Sequence, residues 1–468
     1  MKSNPFSFLF VLVSLALLFF FIPDRREGLD TSYIINVSVI VILNIVVFFK
    51  AVSKLYKTWI RFDVLFIIGF FIVHFQTTLF YSLFDINPPY PNYWINQFVV
   101  NYATWLSAMC LLIWMAGFYL YTSFKKSFQI NSNKFDYYIK PVNSFNFLLL
   151  TTFILFIIIV GGSFWSGNHS GVSNWGAGAT YIFLVFRTIL FLGVIYFFIN
   201  NRESLGSRNK IATAIFNNKL LVGISIIYVL SFLTQGDRGP IMQFGLLVIG
   251  CYSVFVSKIS FKQLSLLIVG GAFTFMLIGL GRTSDVSKRD GGIFSTGLQN
   301  FEEKEDTLFP TDELAKSASI LYLALDVVPD SHPYLYGYTI FNNLVEVIPM
   351  SSTVYSPNKI YSSSTDFFTF LTYGNNPNWG VGSEIIGDLY INFGVHLTIL
   401  IFFLFGYFVS YLTYETHVNH NYLIILIYLM MLMLSIYLNR SIFLNPLKFV
   451  FYLLIFNKFL GKRVNKVL

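Results

Sequence analysis

Three arginines stand where packing gives them little reason to be. Arg238 lies in the turn Thr234-Gln235-Gly236-Asp237-Arg238-Gly239-Pro240, between two apolar runs. Gly236 and Gly239 allow positive φ and close approach of a ligand. Pro240 suits the first turn of a following helix. The turn therefore predicts Arg238 near a helix N-terminus, where backbone N–H groups and the dipole favour an anion. A guanidinium there can grip two phosphate oxygens at once. The competing expectation is a tight turn whose Arg238 pairs with Asp237 or a lipid headgroup. Arg282 follows the flexible exit Gly279-Leu280-Gly281, and Arg440 sits in Leu438-Asn439-Arg440-Ser441 between two apolar runs. Both are candidates for the same anion, with headgroup anchoring as the alternative for Arg282. Arg187 lies in the middle of an apolar run and must face a partner or a wet cavity. An ion pair and a lipid-phosphate contact both remain open for it.

Proton transfer needs a different set. Glu384 and Asp388 are four residues apart in Gly382-Ser383-Glu384-Ile385-Ile386-Gly387-Asp388, just before an apolar run. On a helix they would share a face with Gly387 and Ile391. They could deprotonate a sugar hydroxyl or orient the arginines; a structural pair with Arg282, Arg289 or Arg440 is the alternative. His332, in His332-Pro333-Tyr334-Leu335-Tyr336-Gly337-Tyr338, is a base candidate near neutral pH or a surface histidine beside a turn. Tyr334 and Tyr336, with Tyr390, could stack on sugar rings or sit at headgroup level. With Gly236, Asp237 and Gly239 they make up the expected substrate-binding set. The carboxylates stand beside no histidine or Asp-x-Asp pair, so the spacing is not that of a metal site.

These residues hang on apolar segments. The chain has 468 residues, 55% of them hydrophobic and 12% charged, with a mean hydropathy of +0.65. A soluble domain carries about 25% charged residues. The expectation is an all-α polytopic membrane protein. Spanning runs need about 17–25 residues, and twelve such runs are read: 6–22, 33–49, 64–84, 98–121, 145–162, 180–199, 219–234, 240–257, 263–281, 393–413, 421–437 and 442–460. The twelfth carries Pro446 and Lys448. The first resembles a signal peptide but lacks a small-residue cleavage site, so it reads as an uncleaved span. Three parts follow: spans one to nine over 1–281, a large outer loop over 282–392, and spans ten to twelve with a basic tail over 393–468.

Lys and Arg set the orientation. Lys50, Lys54, Lys57 and Arg61, then Lys125 and Lys126, then Lys258 and Lys262 fall on alternate segments, whereas 85–97 and 163–179 have neither residue. The positive-inside rule then puts both termini in the cytoplasm and the large loop outside. The net charge of +8 is accordingly positional and not a sign of nucleic-acid binding. Cys110 and Cys251 both lie in apolar runs, where small buried hydrophobes are expected. In the loop, Glu302–Asp306 reads as a solvated acidic patch. Pro310-Thr311-Asp312-Glu313 reads as a helix start with Thr311 as N-cap and acids in the first turn. Leu314, Ala318, Leu321 and Leu325 give that helix its apolar stripe.

On Gly236-Asp237-Arg238-Gly239-Pro240, on Gly382-Ser383-Glu384 with Leu389-Tyr390-Ile391-Asn392-Phe393-Gly394, and on this topology, the chain resembles the Wzy-type O-antigen and capsular polysaccharide polymerases. The layout is also similar to that of the related O-antigen ligases. The resemblance implies a GT-C-like, metal-independent membrane glycosyltransferase without a cofactor, in a bacterial inner membrane. Its donor and acceptor would be undecaprenyl-diphosphate-linked oligosaccharides, and a polysaccharide chain-length regulator would be a possible partner. Arg238, Arg282 and Arg440 would hold the diphosphate, with His332, Glu384 and Asp388 as acid–base candidates. The rivals are an O-antigen ligase, a flippase for lipid-linked oligosaccharides, and an envelope scaffold.

Overall fold

The computed structural model describes residues 5–88, 93–124, 137–161, 175, 178–282, 292–302, 309–349, 351, 354–355, 357–375, 377 and 380–465. Each of the twelve apolar runs lies on a helix: α1 (Pro5–Phe20), α2 (Thr31–Ser53), α3 and α4 (Phe62–Phe71 and Thr77–Phe84), α5 (Val100–Phe124), α6 (Phe145–Val160) and α7 (Ala179–Leu205) come first. After the short α8 (Ile211–Asn217) come α9 (Lys219–Gln235), α10 (Arg238–Phe255) and α11 (Phe261–Leu280). Seven helices of the described chain are long and apolar enough to cross a membrane, or eight if the bent pair 208–217 and 219–235 forms one span. Several others, among them α1 and α6, are shorter than that length. An all-α membrane protein is the architecture on which sequence and structure agree.

The loop is partly helical, as expected. It holds α12 (Ile293–Glu302), α13 (Asp312–Ala315), α14 (Ala318–Val327), α15 (Tyr338–Val345) and α16 (Ser364–Tyr373). The helix predicted to start at Thr311 is broken in two at Lys316–Ser317. Thr311 stands at the N-cap position of α13 without a capping bond. Its hydroxyl instead donates to Gln76 Oε1 at 2.6 Å. The apolar stripe does its work: Ala318, Leu321 and Leu325 are buried. Residues 303–306 of the acidic patch, with Lys288 and Arg289, lie outside the described residues.

The chain ends with α17 (Ile385–His417), α18 (Tyr422–Leu434) and α19 (Asn445–Leu460). Pro446 opens α19 in its first turn, where its missing N–H costs nothing, so it starts that helix rather than interrupting it. α17 begins eight residues before the predicted tenth run because it is two helices in line. Gly394 (φ 67°) breaks it into 385–393 and 395–417. Glycine tolerates that left-handed angle, and Tyr334 packs so close that a Cβ there would stand 3.4 Å from its ring. One addition to the all-α expectation is a two-stranded antiparallel ribbon, β1 (Tyr137–Pro141) with β2 (Gly461–Asn465). Both strands come from segments that the positive-inside argument puts on the same side.

α5 and α17 form the central seam. Their backbones touch: a Cβ on Gly117 would collide with the carbonyl of Phe403, and one on Gly406 with that of Trp114. Small residues bring membrane helices together in this way. Between α3 and α4, residues Ile72–Gln76 form one π-helical turn, a widening of the helix often met at functional sites. It turns His74 and Gln76 inward, where both are buried.

Candidate functional site

The turn after α9 forms as its glycines suggest. Gly236 caps α9 in the left-handed region (φ 73°), and its N–H donates to Leu233 O. Asp237 is the N-cap of α10, and its carboxylate accepts from Gly239 N at 3.3 Å. The expected rival, an ion pair between Asp237 and Arg238, does not form. Arg238 is the first residue of α10 and its side chain, 15% exposed, points to α11 and the loop.

Arg238 Nη1 donates to the carbonyl of Phe275 on α11 at 2.8 Å, and Nη2 makes an ion pair with Glu313 Oε1. Gly279 makes room for that pair. A Cβ there would stand 2.8 Å from Arg238 Nη1 and 3.1 Å from Glu313 Oε2. Arg282, one residue beyond the C-cap of α11, donates through Nε to Gly236 O at 2.6 Å, which ties the exit of α11 to the turn. Arg440, at the end of the 3-10 turn Tyr437–Arg440, donates through Nη1 to the backbone oxygen of Glu313 at 3.4 Å. Arg238 and Arg440 thus meet at one loop residue, Glu313, and Arg282, held on Gly236, lies near enough for its charge to act on it.

Charge follows from this crowding. Burial by itself would raise the Glu313 carboxyl, but the hydrogen bond and charge of Arg238, then the charges of Arg440 and Arg282, outweigh it and take it down to about 2. Burial, and next the like charge of Arg238, pull Arg282 below its usual value. Three guanidiniums, of Arg238, Arg282 and Arg440, stand against the carboxylates of Glu313 and Asp237, which leaves the cluster with a net positive charge.

Glu313 had been legible only as an acid in a first helical turn. Its neighbours explain why it is where it is. Asp312 Oδ1 accepts from Gln76 Nε2 at 3.1 Å, and Oδ2 accepts from Phe309 N at 2.7 Å. Burial raises the Asp312 carboxyl. The π turn therefore anchors α13, and α13 presents Glu313 to the arginines. His74 and Gln76, two polar residues inside an apolar run, were the signal available for this.

Glu384 and Asp388 lie on the short helix 385–393, as the i, i+4 spacing predicts, but both side chains are fully enclosed, at 0% exposure. Glu384 is an N-cap: Oε1 accepts from Ile386 N at 2.7 Å and Oε2 from Gly387 N at 2.6 Å. An ionisable neighbour is His74, with Nε2 3.2 Å from Oε1. Asp388 Oδ2 accepts from Phe443 N at 2.8 Å. The structural alternative weighed for these acids had named arginines as partners. Arg282 and Arg440 turn to Gly236 and Glu313, and Arg289 is outside the described residues. Both carboxylates hold backbone ends, and both are enclosed.

His332 is half-buried and belongs to a second group. Its Nδ1 lies 2.7 Å from Pro333 O and its Nε2 3.1 Å from the Tyr361 hydroxyl, with its ring edge-on to Phe367. Tyr334 packs edge-on to Tyr390, whose hydroxyl donates to Val328 O at 2.8 Å. Tyr336 is exposed, at a left-handed φ of 49°. The chain below α1 closes this side: Arg25 pairs with Asp330 at 3.1 Å and reaches the carbonyls of Leu325 and Val328, while Arg26 pairs with Asp330 at 3.0 Å. These two arginines clamp the loop onto the bundle. Arg187 makes no ion pair among the described residues: its guanidinium lies over the rings of Phe183 and Phe449 and donates to Gln243 Oε1 at 3.2 Å.

No family model, curated protein or solved structure matches the chain. Among the described residues, no group of three His, Cys, Asp or Glu side chains is placed to hold a metal ion.

Proposed function

We propose that the protein is a membrane glycosyltransferase that polymerises lipid-linked oligosaccharide repeat units. The growing glycan would pass from undecaprenyl diphosphate to a hydroxyl of the next lipid-linked unit, at the outer face of a bacterial inner membrane. The observation that carries this reading is the grouping of Arg238, Arg282 and Arg440 around Glu313, with Arg238 and Arg440 in contact with it and Arg282 close enough to act through its charge. A phosphate-dense headgroup needs such a cluster, and a cluster placed beside the ends of apolar helices suits a lipid that carries one.

In the proposed reaction the bond from the anomeric carbon to the diphosphate oxygen breaks, and its electron pair stays on that oxygen. Fixed cations stabilise the charge that grows there. The acceptor hydroxyl oxygen forms the new glycosidic bond, and its proton goes to a base. Of the three candidates, His332 takes the base role, because its ring is only half-buried and Glu384 and Asp388 are enclosed. The latter two are positioning residues: Glu384 holds the start of α17 and Asp388 holds the segment after Arg440. Tyr334 and Tyr336 offer rings to the glycan, whereas Tyr390 supports Tyr334 from behind.

The test is a gel of surface and lipid-linked glycans from the host lacking this protein, complemented with wild type or Arg238→Ala. Single repeat units in place of a ladder, restored by wild type but not by a well-expressed Arg238→Ala, are expected. Long polymer left on its lipid carrier would point to a ligase. Loss of all exported glycan would point to a flippase, and an unchanged ladder would refute the polysaccharide reading.

A further inference from the structure

Glu313 raises a question that the diphosphate reading does not answer. The residue best placed to bind the substrate's phosphates, Arg238, already holds a carboxylate. We propose that Glu313 is an exchangeable internal counter-ion, which occupies Arg238 and yields it to a phosphate of the lipid-linked substrate. The proposal rests on the diphosphate reading given above and adds to it how the site is kept shut and opened.

The contacts divide into those that must stay and one that can go. The backbone around Glu313 is held at several points. Asp312 is tied to Gln76 and to Phe309 N, Arg440 donates to the Glu313 carbonyl, and the Tyr93 hydroxyl donates to Ala315 O at 3.3 Å. The Glu313 side chain, in contrast, is 39% exposed. It can rotate into water without moving α13, and a carboxylate with water at hand loses little on leaving a partly exposed pair. Arg238 does not depend on Glu313 for its place, because Nη1 remains on Phe275 O when Nη2 is released. Gly279 leaves the space beside both groups clear of a side chain. One side-chain rotation therefore frees a preset guanidinium between two others.

Charge favours the exchange. A diphosphate diester has two negatively charged phosphates in place of one carboxylate and can bridge Arg238 with Arg282 or Arg440. When the glycosyl bond breaks, the lipid diphosphate gains a further charge, and a cluster without Glu313 matches that charge better than one with it. Interactions stronger for the developing charge than for the bound substrate are those that speed the reaction. The other loop-to-bundle pairs lack this arrangement. Arg25 and Arg26 are each spread over several acceptors of the same loop turn, which suits a permanent clamp.

The test measures binding of inorganic pyrophosphate to the purified full-length protein in lipid nanodiscs, by calorimetry, for wild type, Glu313→Gln, Arg238→Ala and the double variant. Glu313→Gln is expected to bind on the order of two- to fivefold tighter than wild type, the scale of one partly exposed ion pair. Arg238→Ala should weaken binding and remove the gain from Glu313→Gln. Equal or weaker binding by Glu313→Gln, with Arg238→Ala still weakening it, would overturn the counter-ion role and leave the anion site standing. Binding indifferent to Arg238→Ala would overturn the diphosphate reading itself. Thermal melts guard the result: if Glu313→Gln and Glu313→Ala both lower the melting temperature sharply, Glu313 is a permanent clamp and the proposal fails.

Discussion

Replacing Glu384 by alanine should separate a positioning residue from a base. The side chain supplies the acceptors for two free N–H groups in the first turn of α17, those of Ile386 and Gly387, at 2.7 and 2.6 Å, and is fully buried. Loss of an N-cap costs about 1–2 kcal/mol in ordinary surroundings. Here the two N–H groups are also left buried, at about 1–3 kcal/mol each. The two figures overlap, so the expected loss is about 3–5 kcal/mol, a large part of the roughly 5–15 kcal/mol that holds a typical domain together. Aspartate is a good N-cap and should restore most of this, although its shorter side chain withdraws from His74. Glutamine keeps one acceptor oxygen that bridges less well. Melting of the purified protein in detergent, followed by tryptophan fluorescence, should rank wild type first, then Glu384→Asp, Glu384→Gln and Glu384→Ala. Glycan laddering should persist in Glu384→Asp. If Glu384→Ala melts with wild type, the capping argument is wrong. If Glu384→Gln is stable but makes no polymer, and Glu384→Asp is inactive too, the enclosed carboxylate takes part in the chemistry.

Four shorter predictions accompany it. Arg61 and Asp63 form an enclosed pair at 2.8 Å; Arg61→Met alone should cost about 3–5 kcal/mol, while Arg61→Met with Asp63→Leu should recover much of the melting temperature. Gly406→Leu should force α5 and α17 apart and lower the melting temperature by the equivalent of about 1–3 kcal/mol or more, and an unchanged melt would contradict the seam. His332→Gln should abolish the ladder while leaving pyrophosphate affinity within about twofold of wild type, since its hydrogen bonds go to Pro333 and Tyr361 rather than to the arginines. The Glu313 carboxyl is lowered from its usual value of 4.5 to about 2. Its folded value lies below its unfolded one, so its stabilising pairing is complete above about pH 4.5 and is lost as pH falls toward 2. The ratio of pyrophosphate affinities of Glu313→Gln and wild type should accordingly stay flat from about pH 6 to 8, and a ratio that collapses in that window would show that Glu313 is not ionised there.

Much of the bundle was readable because a helix long enough to span a membrane must carry its own hydrophobicity, residue after residue. The run 98–121 is α5 and the run 219–234 is α9, within a few residues at each end. The turn 236–240 was readable for a related reason. Gly236 and Asp237 act on their own backbone within two or three residues, so local chemistry decides their roles. The break of α17 at Gly394 was harder. The ring packed beside it belongs to Tyr334, sixty residues away in the chain.

Residue types and their runs by themselves determined that this chain is helical and suited to a membrane, that Arg238 sits at a helix start, and that a partly helical loop lies between the ninth and tenth apolar runs. Only the tertiary structure decided which charges meet. Glu313 and Arg238 are far apart in sequence, as are His74 and Glu384, and nothing local to either member names its partner. Hydrophobicity and backbone preference are properties of a residue and its near neighbours. An ion pair, and the enclosure of a capping carboxylate, depend on distance and on excluded water, and these exist only once the helices have packed.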